Sequence, residues 1–286
     1  MDIKKVAVIG GGVMGKQIAL NTALHGIDTY ITDAMTPVVE KLSPWAGEYL
    51  SGRVQKGKLT QEAAQAAMAR FHPVPTTAEA ARDADLVIEA VIEDKDIKAR
   101  LYRELDSIVR PDTILASNSS FMPSSTFASV ISHPERLANL HYFNPALVMQ
   151  LTEVVQGPHT SEETAQALIA FSAQTGKYPV WVRKEVEGFI ANRIARAVTR
   201  EAMWLLSEGV ATPEEIDAAA EKGLGYPMGP FKLQDLAGID IAYLTAKRTY
   251  DETGEKPVGF DEMERKYKAH EWGRKTGKGW YNYTGQ

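Results

Sequence analysis

The chain has 286 residues, of which 44% are hydrophobic and 24% are charged, and it carries a formal net charge of -5 and no cysteine. This composition is that of a folded globular protein long enough for one large domain and a smaller one. The acidic balance excludes a general attraction for nucleic acid or anionic lipid, and the lack of cysteine excludes disulfides, thiolate nucleophiles and thiolate metal sites.

These properties set the expected location and partners. The chain does not open with a basic segment followed by an apolar signal stretch, and no apolar window is long enough to span a bilayer. We therefore expect a cytoplasmic protein with no nucleic-acid partner, no membrane partner and no metal. Any anionic ligand must be held by a local group of cations.

The first predicted elements are a strand, a helix and a second strand within "KKVAVIGGGVMGKQIALNTALHGIDTYITDA". The buried-strand run Val6–Ile9 leads into a glycine-rich turn, apolar residues then recur at helical spacing, and the second strand ends at Asp33. The turn has the spacing GxGxxG, with glycines at Gly10, Gly12 and Gly15. In such a unit the glycines allow a tight turn, close approach of a pyrophosphate and close packing of the helix on the strand.

This strand–helix–strand opening predicts a dinucleotide site. We expect cofactor contacts from the three glycines and from Val13 and Met14, which lie between the second and the third. Asp33 is expected to accept hydrogen bonds from the adenosine ribose hydroxyls. The segment that follows, "AMT", offers no Arg for a 2′-phosphate, so NAD is preferred over NADP. The alternative is a glycine-rich turn between buried elements that binds nothing.

Strand and helix signals continue to alternate after this unit. The runs Leu86–Glu89 and Thr113–Ser117 predict a fourth and a fifth strand, and each ends in polar residues. Because the carboxyl ends of parallel strands form the ligand-binding edge of such a sheet, both ends should border the cofactor. An Ala/Gln-rich helix at about 60–70 is expected to face solvent.

The second half of the chain changes from alternating elements to helices alone. Thr160 and Glu163 have the spacing of a capping box that opens a helix, and "YPVWV" predicts the last strand. Beyond it the pattern is helical, and Thr212 marks a well-formed helix start. One long helix carries an apolar stripe, formed by Ile190, Ile194, Val198, Ala202 and Leu205. We therefore predict an α/β domain at 1–185 and a helical domain at 186–286.

Several motifs together resemble one enzyme family. They are "VAVIGGGVMG", "DLVIEAVIED", "ILASNSS", "LHYFNP" with "LTEVV", "EGFIANRI", "GYPMGPFKLQDLAGID" and "GRKTGKGWYNY". In this order they cover essentially the whole chain, and they resemble the L-3-hydroxyacyl-CoA dehydrogenase family, in particular its short bacterial 3-hydroxybutyryl-CoA branch. The resemblance implies an α/β fold with a Rossmann-type NAD-binding domain on a mainly parallel sheet. It also implies an all-helical C-terminal domain that makes a homodimer or higher homo-oligomer, and NAD-dependent interconversion of (S)-3-hydroxyacyl-CoA and 3-oxoacyl-CoA.

His141 and Glu153 lie on either side of a Pro-containing turn in "NLHYFNPALVMQLTEVV". Oxidation of a secondary alcohol needs a base for the hydroxyl proton, which suits an imidazole, and a carboxylate can fix the imidazole tautomer and stabilise the imidazolium. From the residues alone, an unrelated core histidine and a surface acid remain the alternative, whereas the resemblance implies a catalytic pair. The other histidines are expected to be solvated, namely His25, His72, His133, His159 and His270.

The resemblance also implies roles for further residues. Ser120 would donate a hydrogen bond to the 3-oxygen of the substrate, and Asn192 would complete the substrate site from the second domain. Positions near the nicotinamide ribose and the diphosphate are implied for Glu93, Lys98, Asn144 and Lys275. The CoA phosphates would be held by Lys56, with Ser51 nearby. From the residues alone, the alternatives are a turn serine, a helix-start amide and solvated helix charges.

The sequence departs from the family pattern beside the predicted catalytic serine. The family usually has Asn-Thr-Ser-Ser after the fifth strand, whereas this chain has "NSSF", which ends at Phe121. The aromatic ring is expected to narrow access for the acyl chain. We therefore predict a preference for short chains, with acetoacetyl-CoA favoured.

Two other functions remain open from the sequence. A dehydrogenase of a free hydroxy acid, of the gulonate or carnitine type, would keep the glycines, the His and the Glu but lose the CoA site. Its motif resembles HxxNPPY, whereas this chain has "HYFNPALVM". The second alternative is a non-catalytic dinucleotide-binding protein. Such a protein has no chemical need for Ser120, His141, Glu153 and Asn192 together.

Overall fold

The computed structural model describes residues 2–284. The chain divides into two compact units, Met1–Ile190 and Ala191–Gln286, whereas the sequence places the boundary after residue 185. Among residues 2–284, no helix combines the length and the apolar character needed to cross a membrane.

The first unit is built on a single sheet, which has eight strands within residues 2–190. In chain order they are β1 (Lys5–Ile9), β2 (Asp28–Thr32), β3 (Phe71–Pro73), β4 (Leu86–Glu89), β5 (Ile114–Ser117), β6 (Leu137–Tyr142), β7 (Leu151–Val155) and β8 (Tyr178–Val182). Across the sheet the order is β3-β2-β1-β4-β5-β6-β7-β8. Strands β1 to β6 are parallel, β7 runs antiparallel to β6, and β8 is parallel to β7. The predicted Rossmann-type, mainly parallel sheet is confirmed.

Helices connect these strands and cover both faces of the sheet. In the first unit they are α1 (Val13–Leu24), α2 (Thr36–Gln55), α3 (Gln61–Met68), α4 (Thr77–Ala81), α5 (Lys95–Ile108) and α6 (Glu162–Gln174). Alternate strand residues enter the two cores: Val6 and Val8 pack with residues of α1, α2 and α6, while Ala7 and Ile9 pack with residues of α4 and α5. The strands are therefore apolar on both faces, as a covered parallel sheet requires.

The chain changes direction across the sheet between β1 and β4. From β1 it moves outward through β2 and β3, and it then returns to place β4 on the other side of β1. At such a switch point the two following loops leave on opposite faces and open a crevice at the carboxyl ends of the strands. The turn after β1 and the end of β4 therefore border the ligand-binding edge.

The structure corrects one predicted feature of the first unit and adds detail to another. The helix α6 is capped by Ser161 and not by Thr160, because the Thr160 hydroxyl donates to Leu137 O at 2.6 Å and is not available to cap. The helix predicted to face solvent at about 60–70 is exposed at most positions of α3, and it buries Ala64 and Ala67 against α1 and α2. Their small side chains let α3 pack closely on its neighbours.

The second unit is helical within residues 191–284, as predicted. Its α-helices are α7 (Ala191–Ser207), α8 (Pro213–Ala218), α9 (Pro230–Ala237), α10 (Ile239–Thr253) and α11 (Phe260–Lys268). The helix start predicted at Thr212 is confirmed, and it is a capping box with Glu215. The apolar stripe predicted on α7 is buried only towards its C-terminal end, since Ala202 is 3% exposed and Ile194 is 59% exposed.

Two buried carboxylates hold the C-terminal segment of the second unit. Asp235 accepts hydrogen bonds from Trp280 N and Tyr281 N, each at 2.9 Å. Asp217 accepts the Tyr281 hydroxyl at 2.7 Å and the backbone N–H of Phe231 at 2.8 Å. The motif "GRKTGKGWYNY" is thus hydrogen-bonded to α8 and α9 through these two carboxylates. This gives the Trp-Tyr part of the motif a structural role.

Candidate active site

The glycine-rich turn joins the end of β1 to the start of α1. A Cβ at Gly10 would lie 2.5 Å from Ala90 O, and a Cβ at Gly15 would lie 1.8 Å from Gly10 O. These two positions therefore require glycine for the fold itself. A Cβ at Gly12 would meet no atom within 4 Å in the described part of the chain. The space beside Gly12 is open to a ligand at the place where the sequence predicts a pyrophosphate.

The start of α1 offers hydrogen-bond donors at the same turn. Gly12 is the N-cap residue, and among residues 2–284 no side chain caps this helix. Val13 is 61% exposed in its first turn, and Met14 is half buried. The first N–H groups of an α-helix lack partners within the helix, and the helix dipole adds a positive potential there. The arrangement can bind a diphosphate.

Asp33 follows β2 and is held beside the glycine turn. Its Oδ2 accepts a hydrogen bond from Gly11 N at 2.8 Å, and its Oδ1 accepts one from Met35 N at 2.9 Å. The side chain is half buried, so the carboxylate keeps access to a ligand. This is a position from which it can reach the ribose hydroxyls of a dinucleotide.

His141 and Glu153 lie opposite each other on the antiparallel strands β6 and β7. His141 Nδ1 is 2.9 Å from Glu153 Oε2. The two side chains are buried, with 3% and 1% of their surface exposed. The structure brings the two residues together, and their catalytic role stays a prediction.

Ser120 follows β5 and contacts the other nitrogen of the imidazole. Its Oγ lies 2.9 Å from His141 Nε2. Asn118 steadies the same loop, because its Oδ1 accepts Tyr142 N at 3.0 Å. A hydroxyl, an imidazole and a carboxylate thus form one series of hydrogen bonds. Such a series can move a proton between the imidazole and an oxygen of a substrate.

Two aromatic rings that sequence reasoning missed flank the imidazole. The ring centroids of Phe143 and Phe189 lie 4.5 Å and 5.6 Å from that of His141. Phe189 has a φ of 49°, in the left-handed region, and the next residue, Ile190, donates its N–H to Glu153 Oε1 at 3.0 Å. The motif "EGFIANRI" marks this segment, but no pattern of residue types predicts a strained phenylalanine there.

Glu93 and Lys98, predicted to lie near the cofactor ribose, are joined to each other. Lys98 Nζ is 3.1 Å from Glu93 Oε2 and 2.6 Å from Glu89 Oε1. Lys98 is 1% exposed, so the alternative of a solvated helix charge is wrong for this residue. The Glu93 side chain remains 40% exposed and can meet a ligand. Glu89 is fully buried. The sequence indicated only that it is the polar last residue of β4, and did not predict that its charge is buried.

Asn144 lies on the exposed loop between β6 and β7, where it precedes a cis peptide bond to Pro145. Lys177 ties this loop to the sheet, because its Nζ donates to Ala146 O and to Met149 O. Sequence reasoning missed Lys177, since a lysine between a helix and a strand is ordinarily solvated. The loop that carries Asn144 is therefore stabilised by hydrogen bonds from a buried lysine to its backbone.

The predicted CoA contacts Ser51 and Lys56 lie at the C-terminal end of α2. Both side chains are exposed, and the half-buried Arg53 lies between them in sequence. Lys56 and Arg53 thus offer two positive charges and Ser51 offers a hydroxyl in one short segment. An acidic protein needs such a local group of cations to bind an anionic ligand.

Asn192 and Lys275 belong to the second unit. Asn192 lies in the first turn of α7 and is half buried. Lys275 lies in the 3-10 turn Arg274–Thr276, where its Nζ is 2.6 Å from Asp240 Oδ1. The predicted contacts of Asn192 with substrate and of Lys275 with cofactor stay predictions.

The remaining histidines differ in exposure. His25, His133 and His270 are exposed and His72 is half buried. The expectation of a solvated ring is wrong for His159, whose Nδ1 is buried without a hydrogen-bond partner among the described residues, and burial lowers the pKa of this ring. Across residues 2–284, no group of three or more His, Cys, Asp or Glu side chains could hold a metal ion.

Comparison with known proteins finds relatives of both units. The family model for the 3-hydroxyacyl-CoA dehydrogenase NAD binding domain matches residues 5–186, and the model for the 3-hydroxyacyl-CoA dehydrogenase C-terminal domain matches residues 188–283. The probable 3-hydroxybutyryl-CoA dehydrogenase of Bacillus subtilis is 36% identical over 284 residues, which are 99% of this chain and 98% of that protein.

Two further relatives extend this comparison. The 3-hydroxyadipyl-CoA dehydrogenase of Escherichia coli is 41% identical over 243 residues, which are 85% of this chain and 51% of that protein. The crystal structure of the (S)-3-hydroxybutyryl-CoA dehydrogenase of Ralstonia eutropha matches with a TM-score of 0.90 at 35% identity, covering 99% of this chain and 100% of that one.

Proposed function

This chain belongs to the 3-hydroxyacyl-CoA dehydrogenase family, and from that premise we propose which of its residues carry the reaction. The protein is an NAD-dependent enzyme that interconverts 3-hydroxyacyl-CoA and 3-oxoacyl-CoA. We propose that His141 is its general base in oxidation and its general acid in reduction. One observation carries the proposal: the buried imidazole lies 2.9 Å from Ser120 Oγ on one side and 2.9 Å from Glu153 Oε2 on the other.

The proton balance follows from these two contacts. When Nδ1–H donates to Glu153, Nε2 keeps a lone pair and can accept the proton of the 3-hydroxyl group. The Glu153 carboxylate then stabilises the imidazolium that forms. In reduction, Nε2–H returns the proton to the 3-oxygen as the carbonyl becomes an alkoxide. Ser120 donates its own hydrogen bond to the same oxygen and so stabilises the charge that develops there.

The residues around Gly12 fit NAD. When bound, the cofactor would supply the hydride acceptor, NAD⁺, for oxidation of the alcohol and the hydride donor, NADH, for reduction of the ketone. We assign the diphosphate to the N–H groups at the start of α1, and the adenosine ribose to Asp33. Glu93 is assigned to the nicotinamide ribose. Because the carboxylate of Asp33 repels a 2′-phosphate, the same arrangement favours NAD over NADP.

We propose that the enzyme prefers short acyl chains. Phe121 follows Ser120 directly and is 40% exposed, so its ring can limit the room for an acyl chain near the reacting carbon. The Bacillus subtilis and Ralstonia eutropha relatives, both named for 3-hydroxybutyryl-CoA, support this assignment. The Escherichia coli relative is named for 3-hydroxyadipyl-CoA. The substrate to compare with acetoacetyl-CoA is therefore a longer acyl-CoA that ends in a carboxylate.

The CoA phosphates are assigned to the C-terminal end of α2. Lys56 and Arg53 supply the positive charge, and Ser51 supplies a hydroxyl. A cationic pair can hold a phosphate group through charge-assisted hydrogen bonds. Because only the CoA thioester carries these phosphates, this contact favours the thioester over the free acid as substrate.

We propose a homodimer formed through the second unit, and a cytoplasmic location stays a prediction from the sequence. Large apolar side chains are exposed on this unit, namely Ile194, Trp204, Leu233, Leu236, Ile241 and Leu244. Exposed apolar groups in this number are typical of a surface that another protein covers. Light scattering after size-exclusion chromatography measures the mass, and a monomer at micromolar concentration would contradict the dimer.

The first experiment follows NADH oxidation by the purified protein with acetoacetyl-CoA. Free acetoacetate, a dehydrogulonate-type substrate, 3-oxoadipyl-CoA and NADPH are run in parallel. We expect rapid turnover with the thioester and NADH, and little with the free acids. Turnover with a free acid alone would move the protein to the gulonate or carnitine type.

The catalytic base is tested by His141→Gln. Because proton transfer is lost while the glycine turn is untouched, kcat should fall by about 10²- to 10⁴-fold with NADH binding nearly unchanged. A rate like that of the wild type would remove His141 from the mechanism.

A further inference from the structure

A buried ion pair lies below the site, at the carboxyl end of β4. Glu89 ends β4 and is fully buried, and Lys98 on α5 is 1% exposed. Their charged groups are 2.6 Å apart, between Glu89 Oε1 and Lys98 Nζ. Charges this deeply buried destabilise a fold unless they are paired and hydrogen-bonded. Even a buried ion pair that is fully hydrogen-bonded is often no more stabilising than apolar residues of similar volume, so stability alone does not account for this pair.

Glu89 is bonded through both of its oxygens. Oε1 also accepts Val91 N at 2.9 Å, and Oε2 accepts Ser117 Oγ at 2.8 Å and the Tyr102 hydroxyl at 3.4 Å. Burial, together with the charge of Glu89, raises the pKa of Tyr102 well above its usual range, so the phenol stays a donor. The carboxylate is thus fixed to the ends of β4 and β5 and to α5 at once.

Lys98 extends this arrangement to the proposed catalytic serine. Its Nζ is 3.1 Å from Glu93 Oε2. Glu93 Oε1 in turn accepts Ser119 Oγ at 2.6 Å and Ser120 N at 3.2 Å. Ser120 Oγ lies 2.9 Å from His141 Nε2. A continuous series of hydrogen bonds and ion pairs therefore runs from the buried carboxylate to the imidazole.

We propose that Glu89 is a positioning residue for the reaction: with Lys98 it fixes Glu93, and Glu93 holds the loop that presents Ser120 to His141. The proposal rests on the proposed roles of Ser120 and His141. Glu89 does not touch substrate or cofactor in this role and acts through Lys98 and Glu93. When Glu89 loses its charge, Lys98 is left with Glu93 as its carboxylate partner and draws it away from the serine loop.

The test compares two variants of the pair that Glu89 on β4 forms with Lys98 on α5 with a control near the C-terminal end of α5. Glu89→Gln leaves the Lys98 charge buried without its closest partner. The double variant E89Q/K98M removes both buried charges and with them the desolvation cost. The control, Asp106→Asn, breaks another ion pair of α5, in which Arg136 Nη2 is 2.6 Å from Asp106 Oδ1. Each protein is measured for kcat with acetoacetyl-CoA at saturating NADH, and for stability in urea.

We expect kcat to fall about 10- to 100-fold in E89Q and to stay low in the double variant, because a misplaced serine loop slows the reaction even at saturation. Stability should fall in E89Q and recover in the double variant. Asp106→Asn should lose stability and keep its kcat. If the double variant is too unstable to assay, E89Q alone decides through its kcat.

Two outcomes would overturn the positioning role. One is a wild-type kcat in E89Q at saturating NADH, even if its rate is lower at limiting NADH, and the other is recovery of kcat together with stability in the double variant. His141→Gln is assayed in the same series. If it turns over like the wild type, the proposed function and the positioning role both fall, whereas an impaired His141→Gln beside an active E89Q removes the positioning role alone.

Discussion

His141 and Glu153 are direct partners in the antiparallel register of β6 and β7, and their side chains meet at 2.9 Å. Directly opposite residues on antiparallel strands project from the same face of the sheet with closely spaced Cβ atoms. In a sheet that is otherwise parallel from β1 to β6, the reversal at β7 is what brings the carboxylate back to the imidazole. The pair is therefore a product of topology and not of sequence proximity.

Replacement of the carboxylate by an amide tests this relationship. Glu153 has two acceptor oxygens, one for His141 and one for Ile190 N. In Glu153→Gln only one side of the amide accepts. If that side keeps the bond to Ile190, the amino group is aimed at Nδ1 and forces the proton onto Nε2, where the base needs a lone pair.

We expect kcat/KM of Glu153→Gln to fall by about 10²- to 10⁴-fold, because both the tautomer and the stabilising charge are lost. NADH binding, measured by fluorescence, should change little. A variant that keeps more than half of the wild-type kcat/KM would show that Glu153 does not orient the base.

Sequence patterns predicted the fold of the first unit well where each element obeys a local rule. The run at β4 and the turn that begins at Gly10 follow directly from apolar runs and glycine spacing. The capping residue of α6 was missed because Thr160 is bonded to Leu137, a residue of a distant strand. Tertiary contacts of this kind override a local signal.

The residues of the candidate site also divide into those that a local motif predicts and those whose role depends on tertiary contacts. His141 and Glu153 were found because imidazole and carboxylate have recognisable chemistry and the family motif marks them. Glu89, Lys177 and Phe189 were not found, since nothing in their neighbours along the chain indicates that a charge is buried or that a phenylalanine adopts a positive φ. Only the packed structure shows what each of them contacts.

The glycine turn offers a matched pair of substitutions. Gly12→Ala should lose no more than the cost of about 1 kcal/mol that alanine carries at a helix N-cap, because an added Cβ meets no described atom within 4 Å. It should weaken NADH binding on the order of tenfold, because the Cβ would occupy the space assigned to the diphosphate. Gly15→Ala should instead lower the free energy of unfolding by about 1–3 kcal/mol or more, because its Cβ would lie 1.8 Å from Gly10 O.

Fluorescence titration with NADH and urea unfolding separate the two effects. Equal losses of stability in Gly12→Ala and Gly15→Ala would contradict the assignment of Gly12 to the ligand. Unchanged NADH affinity in Gly12→Ala would contradict it as well.

Acyl-chain preference should respond to the ring beside the serine. Phe121→Ser restores the residue type that the family usually has at this place, and it removes a side chain that is 40% exposed. We expect the ratio of kcat/KM for a longer 3-oxoacyl-CoA over that for acetoacetyl-CoA to rise by about tenfold. Because the ring is partly exposed, stability should change little. A ratio that stays at the wild-type value would remove Phe121 as a determinant of chain length.

The buried lysine beneath the loop of Asn144 predicts a pH dependence of stability. Burial lowers the pKa of Lys177 below its usual value of 10.5. Between the lowered pKa and 10.5 the unfolded chain binds the proton and the folded chain does not, so stability rises with pH across that window. Below the lowered pKa, the folded state bears the full cost of a buried ammonium.

Lys177→Met should abolish this rise. The variant also leaves Ala146 O and Met149 O without their donor, which should lower the free energy of unfolding by about 1–3 kcal/mol at neutral pH. Urea unfolding from pH 7 to pH 10.5 should therefore show the difference between wild type and variant growing as the pH rises. The released loop should also raise the KM for NADH through Asn144. Parallel stability curves for the two proteins would mean that the ammonium is not desolvated in the folded state.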